Sequence, residues 1–209
     1  MADKRDIFNR ALAAYGDESV TDPDEDQTVE AGVIRDVYTQ IYDSTLRMHL
    51  WNNARRRAEL AAEAEAPDFG FSTSYLQPTN PFALRILMVG DEPSPFFARN
   101  GFIPGRGPLV APPTPNWVVE GRKILTDFGA PLKILYIARV DEGELDESLA
   151  EVVSLRLAAA TCFKRTQSRG LTDDIKKELA IALALAKNID AQESGEINPW
   201  RSDFLDARG

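Results

Sequence analysis

Apolar residues recur at helical spacing at both ends of this chain and at strand spacing only in the middle, which narrows the folds open to it. Residues 3–15 read as a short helix. Asp3 stands as a cap, Ile7, Phe8, Ala11, Leu12 and Tyr15 share one side, and Gly16 closes it. A longer helix is expected at 25–50, where Asp24 and Gln27 fit the cap and third-position pair of a capping box. Its stripe runs through Val29, Val33, Val37, Ile41 and Leu46, widened by Ile34, Tyr38, Tyr42 and Leu50. At the other end, 144–169 carries Leu145, Leu149, Val152, Val153, Leu157, Ala160 and Phe163 on one face, with Gly170 as its C-cap. Thr172 then caps a last helix. Its stripe of Ile175, Leu179, Ala182, Ala186 and Ile189 suits antiparallel pairing over a two-residue turn.

Between about 55 and 140 the texture is that of strands and turns. Phe69–Leu76 favours β structure, and Leu84–Val89 is a compact apolar run between Pro81 and Gly90. Trp117–Leu125 reads as a hairpin turning near Gly121, and Leu132–Val140 as the strongest strand, central to its sheet. Residues 91–116 hold seven of the thirteen prolines, and proline cannot donate to a ladder, so this stretch reads as a long excursion from the sheet. The economical solution is an α+β fold. Residues 1–54 and 141–194 build one helical bundle, 55–140 is an inserted antiparallel β domain, and 195–209 is a C-terminal arm.

Composition removes several functions. With 209 residues the chain can bury a real core without staples. One cysteine, Cys162, forbids an internal disulfide framework and a Cys-based zinc site, and one histidine, His49, leaves no second imidazole for a His-rich centre. The net charge of −9 opposes tight, non-specific wrapping of nucleic acid. The longest apolar run, Leu179–Ala186, is far short of a membrane span, and the N-terminus has no secretory h-region, so a cytosolic site of synthesis is expected.

The charge is uneven. Residues 17–27 carry six acids and no base. Asp22, Asp24 and Asp26 match positions 1, 3 and 5 of a calcium loop, but Gln27 and Val33 stand where its glycine and bidentate glutamate belong. The glycines at 101, 105 and 107 lack the spacing and the Lys-Ser/Thr of a phosphate-binding loop. His49, at a helix end, reads as a capping or packing residue, and Cys162, beside Phe163, as core. Arg55, Arg56 and Arg57 form the one basic cluster. It suits a strand edge or solvated face, or a contact to phosphates or to an acidic partner. Trp200, Phe204 and Leu205, apolar groups among charges in a terminal segment, suggest docking on a neighbour.

Several strings in one order resemble the podovirus tail tubular protein A family, the head-to-tail adaptors of tailed phages. They are Asp22-Pro23-Asp24-Glu25-Asp26, then Leu46-Arg47-Met48-His49-Leu50-Trp51-Asn52-Asn53-Ala54, then Pro67–Phe71 through Tyr75–Pro78. Glu120–Thr126, Pro131–Val140 and the Leu149–Ala160 helix follow. Leu50 stands where the family often has proline, and Asn53 where it often has an aromatic residue. The resemblance implies a structural virion protein rather than an enzyme, without cofactor or bound metal. It would be a helical bundle with a β domain, assembled as a dodecameric ring between portal and tail nozzle, with double-stranded DNA passing through and no membrane contact.

On that reading Asp22, Asp24, Glu25 and Asp26 are candidate channel or subunit-interface acids. Trp200, Phe204 and Leu205 are candidate portal-docking groups, Phe102, Ile103 and Arg106 a candidate nozzle-facing loop, and Arg55, Arg56 and Arg57 a candidate basic contact. The alternatives are a small cytosolic enzyme or metal-binding protein using residues 17–30, or another connector such as a stopper or tail-completion protein.

Overall fold

The computed structural model of the chain describes residues 2–90, 92–93 and 116–193. The fold is α+β, and among the described residues it divides into two compact units. Residues 2–54 and 139–193 make a helical unit, and a β unit lies within Arg55–Ala138.

In the helical unit, α1 spans Lys4–Ala13, α2 Val29–Met48, α3 Glu147–Thr166 and α4 Arg169–Glu193. Helix α3 packs against each of the other three. That shared position explains a wider buried surface than one stripe: Leu149, Ala150, Val152, Val153, Leu155, Leu157, Ala158 and Cys162 are all buried. Ala160 and Phe163, expected on the inner face, are exposed instead. The α1 cap is as the sequence suggests, a capping box between Asp3 and Asp6.

Helix α2 starts later than expected, at Val29, with Thr28 rather than Asp24 as its cap. The carboxylates of Asp22 and Asp26 accept backbone N–H groups within the loop, so the chain there is turned rather than helical. Of the expected stripe, Val33, Ile34, Tyr38, Tyr42 and Leu46 are buried, joined by Ala31 and Thr45, while Val37, Ile41 and Leu50 are half-buried and Val29, at the helix start, is 64% exposed. Tyr42 stacks on Tyr38 with ring centroids 5.6 Å apart, and Phe8 of α1 meets Tyr38 at 5.1 Å with the rings tilted by 44°.

The α3–α4 connection is the expected two-residue turn, but it is Gln167-Ser168 and not the stretch around Gly170. Ser168 Oγ accepts from Leu171 N, so α4 begins before Gly170, and Thr172 lies inside the helix with its hydroxyl donated to the Ser168 carbonyl. Gln167 therefore takes the left-handed C-cap at φ 55°, where a side chain is strained and glycine is not. Gln167→Gly should raise stability by about 1 kcal/mol, read as a higher urea midpoint at unchanged slope.

The β unit holds two antiparallel sheets. One has the order β1 (Arg55–Leu60), β7 (Leu132–Ala138), β3 (Ala83–Val89), β4 (Glu92–Pro93). The other has the order β2 (Thr73–Leu76), β6 (Lys123–Thr126), β5 (Trp117–Glu120). β7 is central, as its continuous apolar run suggests. The β5–β6 hairpin turns on Gly121 and Arg122, and only the first has positive φ (58°), the pattern of a type II′ turn. Of the expected strand at 69–76 only Thr73–Leu76 pairs. Gly70 sits at φ 88°, Ser72 N donates to the Asp127 carboxylate, and Phe69 is 88% exposed.

Candidate functional site

The acidic loop is an ordered knob whose own carboxylates fold it. Asp22 Oδ1 accepts from Asp24 N (2.9 Å) and Glu25 N (3.1 Å), and Asp26 Oδ2 from Thr21 N (2.8 Å) and Asp22 N (3.2 Å). The Asp22 contacts make an Asx-type turn, in which a short carboxylate replaces a backbone acceptor, and Asp26 closes the loop by reaching back to Thr21 and Asp22. The two backbone donors hold the Asp22 carboxyl below the usual carboxylate range. A lowered value makes its contribution to loop order complete above the ordinary aspartate pKa and lost as pH falls through the lowered one.

Basic groups then fix the knob to the helices. Arg35 donates to the Pro23 carbonyl (2.8 Å) and the Asp26 carbonyl (2.7 Å), and Lys4 pairs with Asp24. Arg165, near the end of α3, bridges Asp17 (2.6 Å) and Glu30, the first acid before the loop's turns and the first in α2. Its side chain is only 20% exposed, and the Asp17 carboxylate raises its pKa further. None of these basic partners was singled out by the sequence reading, because each lies remote in the chain or on the opposite side of a helix repeat. Glu18 and Glu25 remain exposed. Among the described residues no group of three or more His, Cys, Asp or Glu is placed to hold a metal ion.

Arg55, Arg56 and Arg57 form the first half of β1, an edge strand of the four-stranded sheet among the described residues. The alternation of a strand splits them between two faces: Arg56 lies opposite buried Tyr136, and on the other face Arg55 lies opposite buried Ile137 and Arg57 opposite half-buried Leu135.

His49 is the C-cap residue of α2, as its position suggests. Its Nε2 lies 3.2 Å from the buried carboxylate of Asp190 on α4, and its ring meets the edge of Trp51 at 4.6 Å. Asp190 also accepts from Asn52 N at 2.7 Å, so the chain leaving α2 is tied to the far end of α4. Asp190 lay outside the expected stripe of the last helix and carried no signal in the sequence, yet it is buried. Cys162 is free and buried. Trp200, Phe204 and Leu205, and Phe102, Ile103 and Arg106, lie outside the described residues.

No protein-family model and no curated protein matches this chain. Among the described residues no helix is long and apolar enough to cross a membrane.

Proposed function

We propose that this chain is a structural head-to-tail adaptor of a tailed phage, a non-enzymatic virion component that forms a ring between portal and tail nozzle. The observation that carries this reading is architectural: helices from both ends of the chain build one unit, and the strands between them build another. That is the arrangement implied by the resemblance to the tail tubular protein A family. The acidic knob adds a second support. Fixed carboxylates facing a channel repel phosphates, so a duplex can slide past without sticking. Aromatic anchors in residues 196–209 would supply the portal contact by burial in a partner pocket.

Mass photometry of the purified chain, alone and with portal protein, tests the reading. A dodecamer in either sample is the expected result, and a monomer in both rejects it. Deleting residues 196–209 should abolish the portal complex while leaving the helical unit folded by circular dichroism. Normal portal complexes from the deleted chain would remove the arm's role.

A further inference from the structure

We propose that the face of α3 bearing Arg156 and Phe163 docks residues 200–206 of a second copy of this chain. Arg156, Ala160 and Phe163 stand four and three residues apart, so they share one face of the helix. Arg156 is half-buried, and among the described residues its guanidinium meets only the thioether of Met48, with Nη1 3.1 Å from Sδ. Sulfur is a weak acceptor, and a guanidinium withdrawn from water ordinarily has a carboxylate partner. Burial pushes the Arg156 pKa down, and no carboxylate among the described residues counters the shift.

Ala160 and Phe163 are exposed, Phe163 by 42%, and Met48 beside Arg156 by 41%. The same face is closed nearer the start of α3, where Leu149, Val152 and Val153 are buried, so the opening begins at Arg156. Two further cations border it. Lys164 follows Phe163, and the Arg169 guanidinium lies 5.9 Å from the Phe163 ring centroid. Neither makes an ion pair among the described residues.

The pattern of this face selects the occupant, since an apolar strip bordered by cations takes an apolar segment bordered by acids. A net charge of −9 opposes a polyanion as the ligand. Asp203-Phe204-Leu205-Asp206 has the matching composition, with Trp200 shortly before it and Arg201 the one base in 200–206. Extended, its two acids stand about 10 Å apart. Arg156 and Lys164, eight residues apart on α3, stand about 12 Å apart along the axis. The thirteen residues from Glu193 to Asp206 span up to about 43 Å when extended, enough to cross to a neighbour. Arg156 then gains its carboxylate, while Phe204 and Leu205 cover Phe163 and Ala160. The contact rests on the segment that the adaptor reading gives to portal, so portal takes it over on assembly.

Fluorescence anisotropy of a labelled peptide of residues 196–209, titrated with the full-length chain at low salt, tests the contact. Saturable binding is expected, weakened about tenfold by Arg156→Gln and severalfold by Phe163→Ser. Both variants should keep the wild-type far-ultraviolet circular dichroism, because Phe163 is exposed and Arg156 holds no carboxylate among the described residues. A peptide with Asp203→Lys and Asp206→Lys should bind about tenfold more weakly, and Arg156→Glu in the chain should recover part of that loss. Full-length Arg156→Gln should also self-associate about tenfold more weakly by sedimentation.

Absence of peptide binding overturns the contact, as does binding that Arg156→Gln and Phe163→Ser leave unchanged. Ile181→Asp, at an exposed position on α4, should have no effect, and a loss there as large as for Phe163→Ser overturns the proposal. Retention of a fluorescent duplex that Arg156→Gln abolishes would mark a phosphate site and overturn it too. So would a monomer whose Trp200 is shielded from acrylamide at every dilution, since a contact between copies is lost on dilution. Portal complexes without peptide binding reject this contact and leave the adaptor reading standing. Peptide binding without rings or portal complexes supports the contact and counts against that reading.

Discussion

Replacing Trp51 with alanine should destabilise the helical unit by about 4 kcal/mol, one of the largest single-residue losses the chain can show. The side chain is 1% exposed, and its indole N–H donates to the Thr45 carbonyl at 2.8 Å. Truncation removes the apolar area, leaves a cavity in a region held by the His49–Asp190 contact, and strips the Thr45 carbonyl of its donor. Trp51→Phe should recover about half, because the ring volume returns while the N–H does not. Urea unfolding followed by far-ultraviolet circular dichroism measures both variants. A loss below about 1.5 kcal/mol for alanine would show that the site collapses around the gap, which the ties on either side of Trp51 oppose.

Arg165→Met should cost about 2 kcal/mol and release the acidic loop, because two half-buried carboxylates lose the cation between them. Asp17 and Glu30 would then face each other without compensation. Methionine keeps most of the packing volume, so the effect reads the charge rather than a cavity. Arg165→Lys should recover less than half, since an ammonium cannot hold two carboxylates with the geometry of a guanidinium fork. Amide hydrogen exchange over residues 17–30 should rise severalfold in Arg165→Met while α4 stays protected. Equal exchange in wild type and variant would mean that the Asx turns and Arg35 hold the knob unaided.

Much of the secondary structure was legible from local chemistry. Asp3 with Asp6, the Gly121 turn, the central β7 and the two-residue link between the last helices all follow from residues within a few positions of one another. The misplaced boundaries have one cause. Around Asp22–Asp26 and Ser168, side chains compete with the backbone for the same hydrogen bonds, and the winner depends on a few tenths of a kcal/mol between neighbouring caps. Asp24 looked like a cap, but the turns closed by Asp22 and Asp26 take its place and Thr28 caps the helix three residues before Ala31 N.

By itself, the sequence determined the α+β order, the apolar faces and the concentration of acid in one loop, since these depend on period and composition along the chain. Tertiary structure alone decided what that acid faces and where the bases gather. Arg165 meets Asp17 and Glu30 from well over a hundred residues away, and Arg85 and Lys133 reach the arginines of β1 only because β7 lies between β1 and β3. Ion pairs and sheet faces are set by strand register and helix packing. A one-residue slip in strand register would move those side chains to the opposite face of the sheet.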